Sequence, residues 1–129
     1  MHGSLRFRTS ALALMLASFG AGAAHAAGDA VKGQAAFVRQ CAICHTVDKG
    51  GPNRFGPNLY GILGRKAASV PGFSYSRAFK TAANWNWNED LVAGWIGAPG
   101  QMVPGTAMGI FQGVAQTDRD DIVAYLATK

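Results

Sequence analysis

Five consecutive residues, Cys41-Ala42-Ile43-Cys44-His45, constrain this chain more than any other stretch. Two thiols stand one helical turn apart with an imidazole directly after them, and Cys-x-x-Cys-His is the pattern of covalent c-type haem attachment. Each thiol can add to a haem vinyl group, and the imidazole then falls beneath the iron as an axial ligand. Three other readings compete. A redox disulfide pair needs no following histidine and would sit near a βαβ pattern, which the sequence lacks. Structural zinc wants four ligands, and these residues supply three. A free or structurally bonded cysteine pair is the plain alternative in an oxidising compartment. The residues favour haem.

Residues 1–26 read as a secretory signal peptide, cleaved after about Ala26. Arg6 and Arg8 give a positive head, an apolar stretch runs from Ala11 to about Phe19, and Ala24-His25-Ala26 supplies an A-x-A cleavage site. The apolar stretch is short for a membrane anchor, the competing reading. Signal and motif agree, because haem of this type is attached outside the cytoplasm; the expected location is the periplasm. Without Arg6 and Arg8, ten of the twelve Lys+Arg remain against seven acids, a net charge of +3 for residues 27–129. That mild excess, unclustered, argues against a nucleic-acid partner. His45 is then the one histidine, and Met102 and Met108 the two methionines.

One domain is expected at this length, here spanning 27–129. A composition 49% hydrophobic and 15% charged excludes a disordered chain. The absence of a long apolar run beyond the N-terminus excludes a multi-span membrane protein. Three helices are predicted. The first covers about 30–41 behind an Asp29 cap, with Ala30, Gly33, Phe37 and Cys41 on one face. Gly33 costs about 1 kcal/mol inside a helix, which implies close approach of another element. The second covers about 89–96, with Asn88 as cap and Glu89 and Asp90 in the first turn. The third covers about 117–127, where Thr117 and Asp120 approximate a capping box. Segments 42–87 and 97–116 read as long loops dense in Gly, Pro and Asn. Three short helices and two such loops make a poor core unless they wrap a large ligand.

A second axial ligand must come from few residues. Met108, in Pro104-Gly105-Thr106-Ala107-Met108, lies on a loop able to present a thioether, and Met102 is the competitor. A thioether on iron favours the ferrous state and fills the sixth position, which separates an electron carrier from a haem enzyme.

From about Gly28 to Lys129 the chain resembles class I cytochromes c. The matching pieces run in the family's order: Gly33 and Phe37, the Cys-x-x-Cys-His, Gly56-Pro57-Asn58-Leu59-Tyr60-Gly61, Gly64-Arg65-Lys66 and Pro71-Gly72-Phe73-Ser74-Tyr75. Trp87, the Pro-Gly-Thr-x-Met loop and Asp121-Ile122-Val123-Ala124-Tyr125-Leu126 complete the set. The resemblance implies an all-α fold of three core helices, with long Gly/Pro-rich loops wrapped around one covalently bound haem c. It implies His45 and Met108 as iron ligands, Cys41 and Cys44 as attachment points, and the Pro57 carbonyl as acceptor from the second nitrogen of His45. Tyr75 and Trp87 would donate to a haem propionate, Arg65 would compensate its charge, and Thr106 would help order the Met loop. Gly33 and Tyr125 would mark the crossing of first and last helices.

The implied function is a monomeric one-electron carrier, not an enzyme, between membrane-bound or periplasmic redox proteins that dock transiently at the haem edge. Respiratory, photosynthetic and dehydrogenase chains all fit. The alternative is a haem-based ligand-binding or peroxidase-like protein with a labile Met108, and a further one treats haem as a structural plug. The chain departs from the family's frequent ring of lysines, with Gln40, Gly100, Gln101, Ala107, Ala115 and Gln116 at several of those places; Arg39, Lys49 and Arg54 are the cations expected near that side. Trp95 stands where a tyrosine is common and Ile110 where an aromatic is. Charge steering should therefore be weaker than in a strongly cationic relative.

Overall fold

The computed structural model describes residues 27–129; the proposed signal peptide lies outside the described residues. Five α-helices, α1 (Ala30–Gln40), α2 (Arg77–Ala82), α3 (Glu89–Gly97), α4 (Pro99–Met102) and α5 (Gln116–Ala127), are joined by loops, with one 3₁₀ turn at Ala107–Ile110. Among the described residues there is no strand beyond a single antiparallel bridge, Lys66 to Asn86. No described helix is long and apolar enough to cross a membrane.

Helix α1 begins where the Asp29 carboxylate accepts from the N–H groups of Val31 and Lys32, two of the four donors that a helix start leaves open. It buries Gly33, Ala36 and Phe37. That face crosses α5, and a Cβ at Gly33 would be driven into the Asp121 carbonyl. The crossing is also held by the Asp29 N–H on the Asp121 carboxylate (2.7 Å), by Gln40 on Asp118 (2.8 Å) and by Phe37 against Tyr125, rings 5.5 Å apart. The helical cost of Gly33 thus corresponds to a contact between α1 and α5 that leaves no room for a Cβ.

Helix α3 starts at Asn88, whose side chain accepts from the Leu91 N–H at 2.8 Å. Helix α5 differs from its sequence expectation. It begins one residue earlier, behind Ala115, whose carbonyl accepts from Asp118 and Arg119 N–H, and no side chain caps it. Thr117 therefore lies inside the first turn. The segments read as loops also contain α2, α4 and the 3₁₀ turn. Each is six residues or fewer, too short to display a helical period. Ala68 takes a left-handed conformation (φ 58°), strained for a residue with a Cβ.

Candidate haem site

The turn after α1 continues helically. Cys44 and His45 N–H both bond the Cys41 carbonyl, at 3.0 and 2.9 Å. This places the two free thiols one turn apart with His45 beside them, all three lining one apolar cleft. Burial, with Cys44 close by, pushes the Cys41 thiol up to about 11. The thiolate is the nucleophile, so this burial disfavours addition at Cys41 in the bare chain.

The orientation of His45 is fixed from outside. Nδ1 donates to the Pro57 carbonyl at 2.8 Å, which leaves Nε2 with the free lone pair. Burial lowers the imidazole pKa, and the Pro57 bond opposes that shift in part. A small network holds the Pro57 segment. The Asn58 side chain donates to Thr46 Oγ1 (2.7 Å) and the Asp48 carbonyl, its own N–H donates to Asn53, and Leu59 N–H reaches the Thr46 carbonyl. Arg65 donates to the carbonyls of Tyr60 and Asn58 at 2.9 and 3.1 Å. Gly56 lies flat against the imidazole, and a Cβ there would enter the ring. Gly56→Ala is expected to break the 2.8 Å bond and rotate the ring. The overpacking cost is about 1–3 kcal/mol, to be read by denaturant titration of the haem-loaded protein together with a changed reduction potential.

The bridge between segments 64–67 and 85–87 forms the next wall. Gly64 N–H reaches the Trp87 carbonyl and Trp87 N–H the Arg65 carbonyl, which sets Arg65 and Trp87 side by side on the cleft. Burial lowers the Arg65 pKa. Tyr75 also lines the cleft, and its hydroxyl accepts from the Val70 N–H at 3.1 Å, so its own proton is free to donate. Phe79, on α2, stacks between Tyr75 (5.6 Å) and Trp87 (6.3 Å) and packs against Trp95 at 4.9 Å. It is a cleft residue the sequence reading missed. The signal present was Ser76, whose hydroxyl caps α2 by accepting from Phe79 N–H.

The last wall is the loop after α4. Thr106, buried, bonds the Val103 carbonyl through its N–H and receives Gly109 N–H. Met108 then sits in the 3₁₀ turn and lines the cleft, whereas Met102, packed against the hydrophobic core, does not. All nine residues singled out from sequence, namely Cys41, Cys44, His45, Pro57, Arg65, Tyr75, Trp87, Thr106 and Met108, meet at this one cleft. Its apolar lining from Val92, Ile96, Ile122 and Leu126, the paired thiols at one edge, the free Nε2 and the thioether fit a haem. Among the described residues, no three of His, Cys, Asp and Glu gather into another cation site.

Comparison with known proteins agrees with this geometry. Residues 30–129 match the family model described as cytochrome c. The chain is 44% identical over 102 residues to a cytochrome c of Gibberella zeae, covering 78% of this chain and 94% of that one. It is 41% identical over 99 residues to a cytochrome c of Stellaria longipes (77% and 91% covered). A cytochrome c homolog of Bradyrhizobium diazoefficiens is 44% identical over 94 residues, which span 71% of this chain and 50% of that protein. The chain belongs to the cytochrome c family, electron-transfer proteins rather than enzymes, which carry one haem c bound covalently through two cysteines, here Cys41 and Cys44.

Proposed function

We propose that this chain is a soluble, exported, monomeric one-electron carrier whose haem iron is held by His45 and Met108 and which works in the periplasm between two redox proteins. The observation that carries the reading is that His45, with Nδ1 committed to the Pro57 carbonyl, and Met108 line the same apolar cleft. When bound, the haem supplies a metal that alternates between ferric and ferrous. The protein supplies the rest. Pro57 fixes the imidazole and raises its basicity. Met108 would supply its thioether to the iron and so favour the ferrous state. Val92, Phe79, Trp95 and Ile122 exclude water, which keeps the two charge states close in geometry and disfavours the extra charge of the ferric form.

Roles for Tyr75 and Trp87 as propionate donors, with Arg65 beside them, follow from their shared wall and the free Tyr75 proton. Thr106 serves by holding the Met108 loop. The export reading rests on the charged head, apolar stretch and Ala24-His25-Ala26 of the first 26 residues. Donor and acceptor belong to a respiratory, photosynthetic or dehydrogenase chain.

The test is the visible spectrum of the dithionite-reduced protein before and after carbon monoxide. A low-spin c-type spectrum unmoved by carbon monoxide is the expected result. A rapid shift would mean an open sixth position and transfer the assignment to ligand binding or peroxidase-like chemistry.

A further inference from the structure

We propose that Ala68 stands as an alanine, against a backbone cost, because its methyl closes the cleft wall that carries Arg65 and Tyr75 and keeps water from the haem edge there. The proposal rests on the carrier reading and deepens it by naming a residue that tunes the potential of the same site. Ala68 has φ 58°, in the left-handed region where a Cβ crowds the following carbonyl. Every other described residue with a positive φ is a glycine. Gly61, Gly64 and Gly72, which flank Ala68 in the same loop, show the contrast. A Cβ at any of them would meet nothing within 4 Å, so a side chain would carry the strain and gain no contact. Ala68 differs in what it touches. It is half-buried, packs against the hydrophobic core, and lines the cleft shared by Cys41, Cys44, His45 and Met108.

The turn itself does not need the methyl, because its backbone is tied on both sides. Ala67 N–H donates to the Trp85 carbonyl at 2.9 Å, the Ser69 hydroxyl to the Lys66 carbonyl at 2.6 Å, and Val70 N–H to the Tyr75 hydroxyl at 3.1 Å. Pro71 confines Val70 to extended conformations as well. A glycine at 68 would leave every one of these bonds in place and relieve the strain. Strain that neighbours hold in place beside a functional site points to a use of the strained residue. Its surroundings indicate which use. Arg65 precedes Ala68 by three residues, and Tyr75 is joined to Val70 two residues after it; both line the cleft. Burial already lowers the Arg65 pKa, so this wall is poorly hydrated. A methyl there occupies space that water would otherwise take. Water at the haem edge favours the ferric form, which carries the extra charge.

Ala68→Gly in the haem-loaded protein is the test, with Ala68→Ser, which retains both the Cβ and the strain, beside it. The expected result is a split between stability and potential. Ala68→Gly should unfold at a denaturant concentration equal to or above the parent's, since glycine accepts the left-handed turn without strain. Its ferrous-to-ferric ratio at a fixed applied potential should nevertheless fall about threefold, which is about 28 mV at about 59 mV per tenfold. In the ferrous state, read by NMR, the indole proton of Trp87 on the same cleft should exchange with deuterium about tenfold faster. Ala68→Ser should stay closer to the parent than to the glycine variant in both readings. A glycine variant with the parent's potential and exchange rate would overturn the proposal, as would a serine variant that follows the glycine one. A lower unfolding midpoint with both readings unchanged would make the methyl a core contact alone and overturn it equally. Failure of the carrier reading looks different: the parent itself would take up carbon monoxide.

Discussion

Met108→Ala is expected to lower the reduction potential by a few tenths of a volt, a substantial part of the roughly 0.8 V over which axial ligands move haem potentials. The same variant should bind carbon monoxide rapidly in the ferrous state. Both effects have one cause. The thioether prefers ferrous iron, so its loss favours the ferric state, and an alanine cannot fill the vacated position. A drop of about 0.2 V corresponds to between three and four powers of ten in the ferrous-to-ferric ratio, since about 59 mV is tenfold for one electron. The control is Met102→Ala. Met102 is half-buried against the core at the end of α4 and does not line the cleft. Its truncation is expected to cost about 2–3 kcal/mol of stability as a cavity, with potential and carbon monoxide response unchanged. Potentiometric titration of the three proteins decides the matter. A potential that follows Met102 and ignores Met108 would remove Met108 as ligand.

The parts of this molecule legible in the sequence are those that chemistry fixes locally. Cys41, Cys44 and His45 must be adjacent for any covalent haem site, and Asp29 and Asn88 announce α1 and α3 because a helix start needs acceptors. Helix α5 was legible in its apolar face, with Ile122, Tyr125 and Leu126 buried, but not in its start. There a backbone carbonyl at Ala115 does the work that the Thr117 reading assigned to a side chain, and Asp118 turns to Gln40 and Arg39 instead. Arg65, Tyr75 and Trp87 became candidates through family resemblance, since nothing local pairs residues 65 and 87. The bridge through Lys66 and Asn86 does that, and a one-pair bridge leaves no alternation to read. Phe79 was not singled out for a related reason. Its importance lies in contacts with Tyr75, Trp87 and Trp95, which only the folded chain assembles.

Gly33→Ala should be strongly destabilising, and Gly94→Ala should be harmless or better. Both glycines lie inside helices, where alanine is intrinsically favoured by about 0.8–1.0 kcal/mol. Propensity alone would therefore make both changes stabilising. What differs is the space. At Gly94, exposed on α3, an added Cβ meets nothing within 4 Å. At Gly33 it would run into the Asp121 carbonyl and press on the Tyr125 Cβ. The obstacle is the backbone of a second helix, not the end of a flexible side chain, so α1 and α5 must separate. Separation would stretch the 2.7 Å bond from Asp29 N–H to Asp121 and loosen Phe37 against Tyr125. Overpacking of this kind costs about 3 kcal/mol or more at the upper end of its usual range. For a domain of this size that is a fall in melting temperature of roughly 12–24 °C. Gly94→Ala is expected to raise stability by about 0.5–1 kcal/mol. Denaturant titration of the haem-loaded proteins, followed in the far ultraviolet, separates the two effects. Equal responses at the two positions would mean that helix propensity, not the α1–α5 contact, governs Gly33, and the crossing would have to be looser than the structure has it.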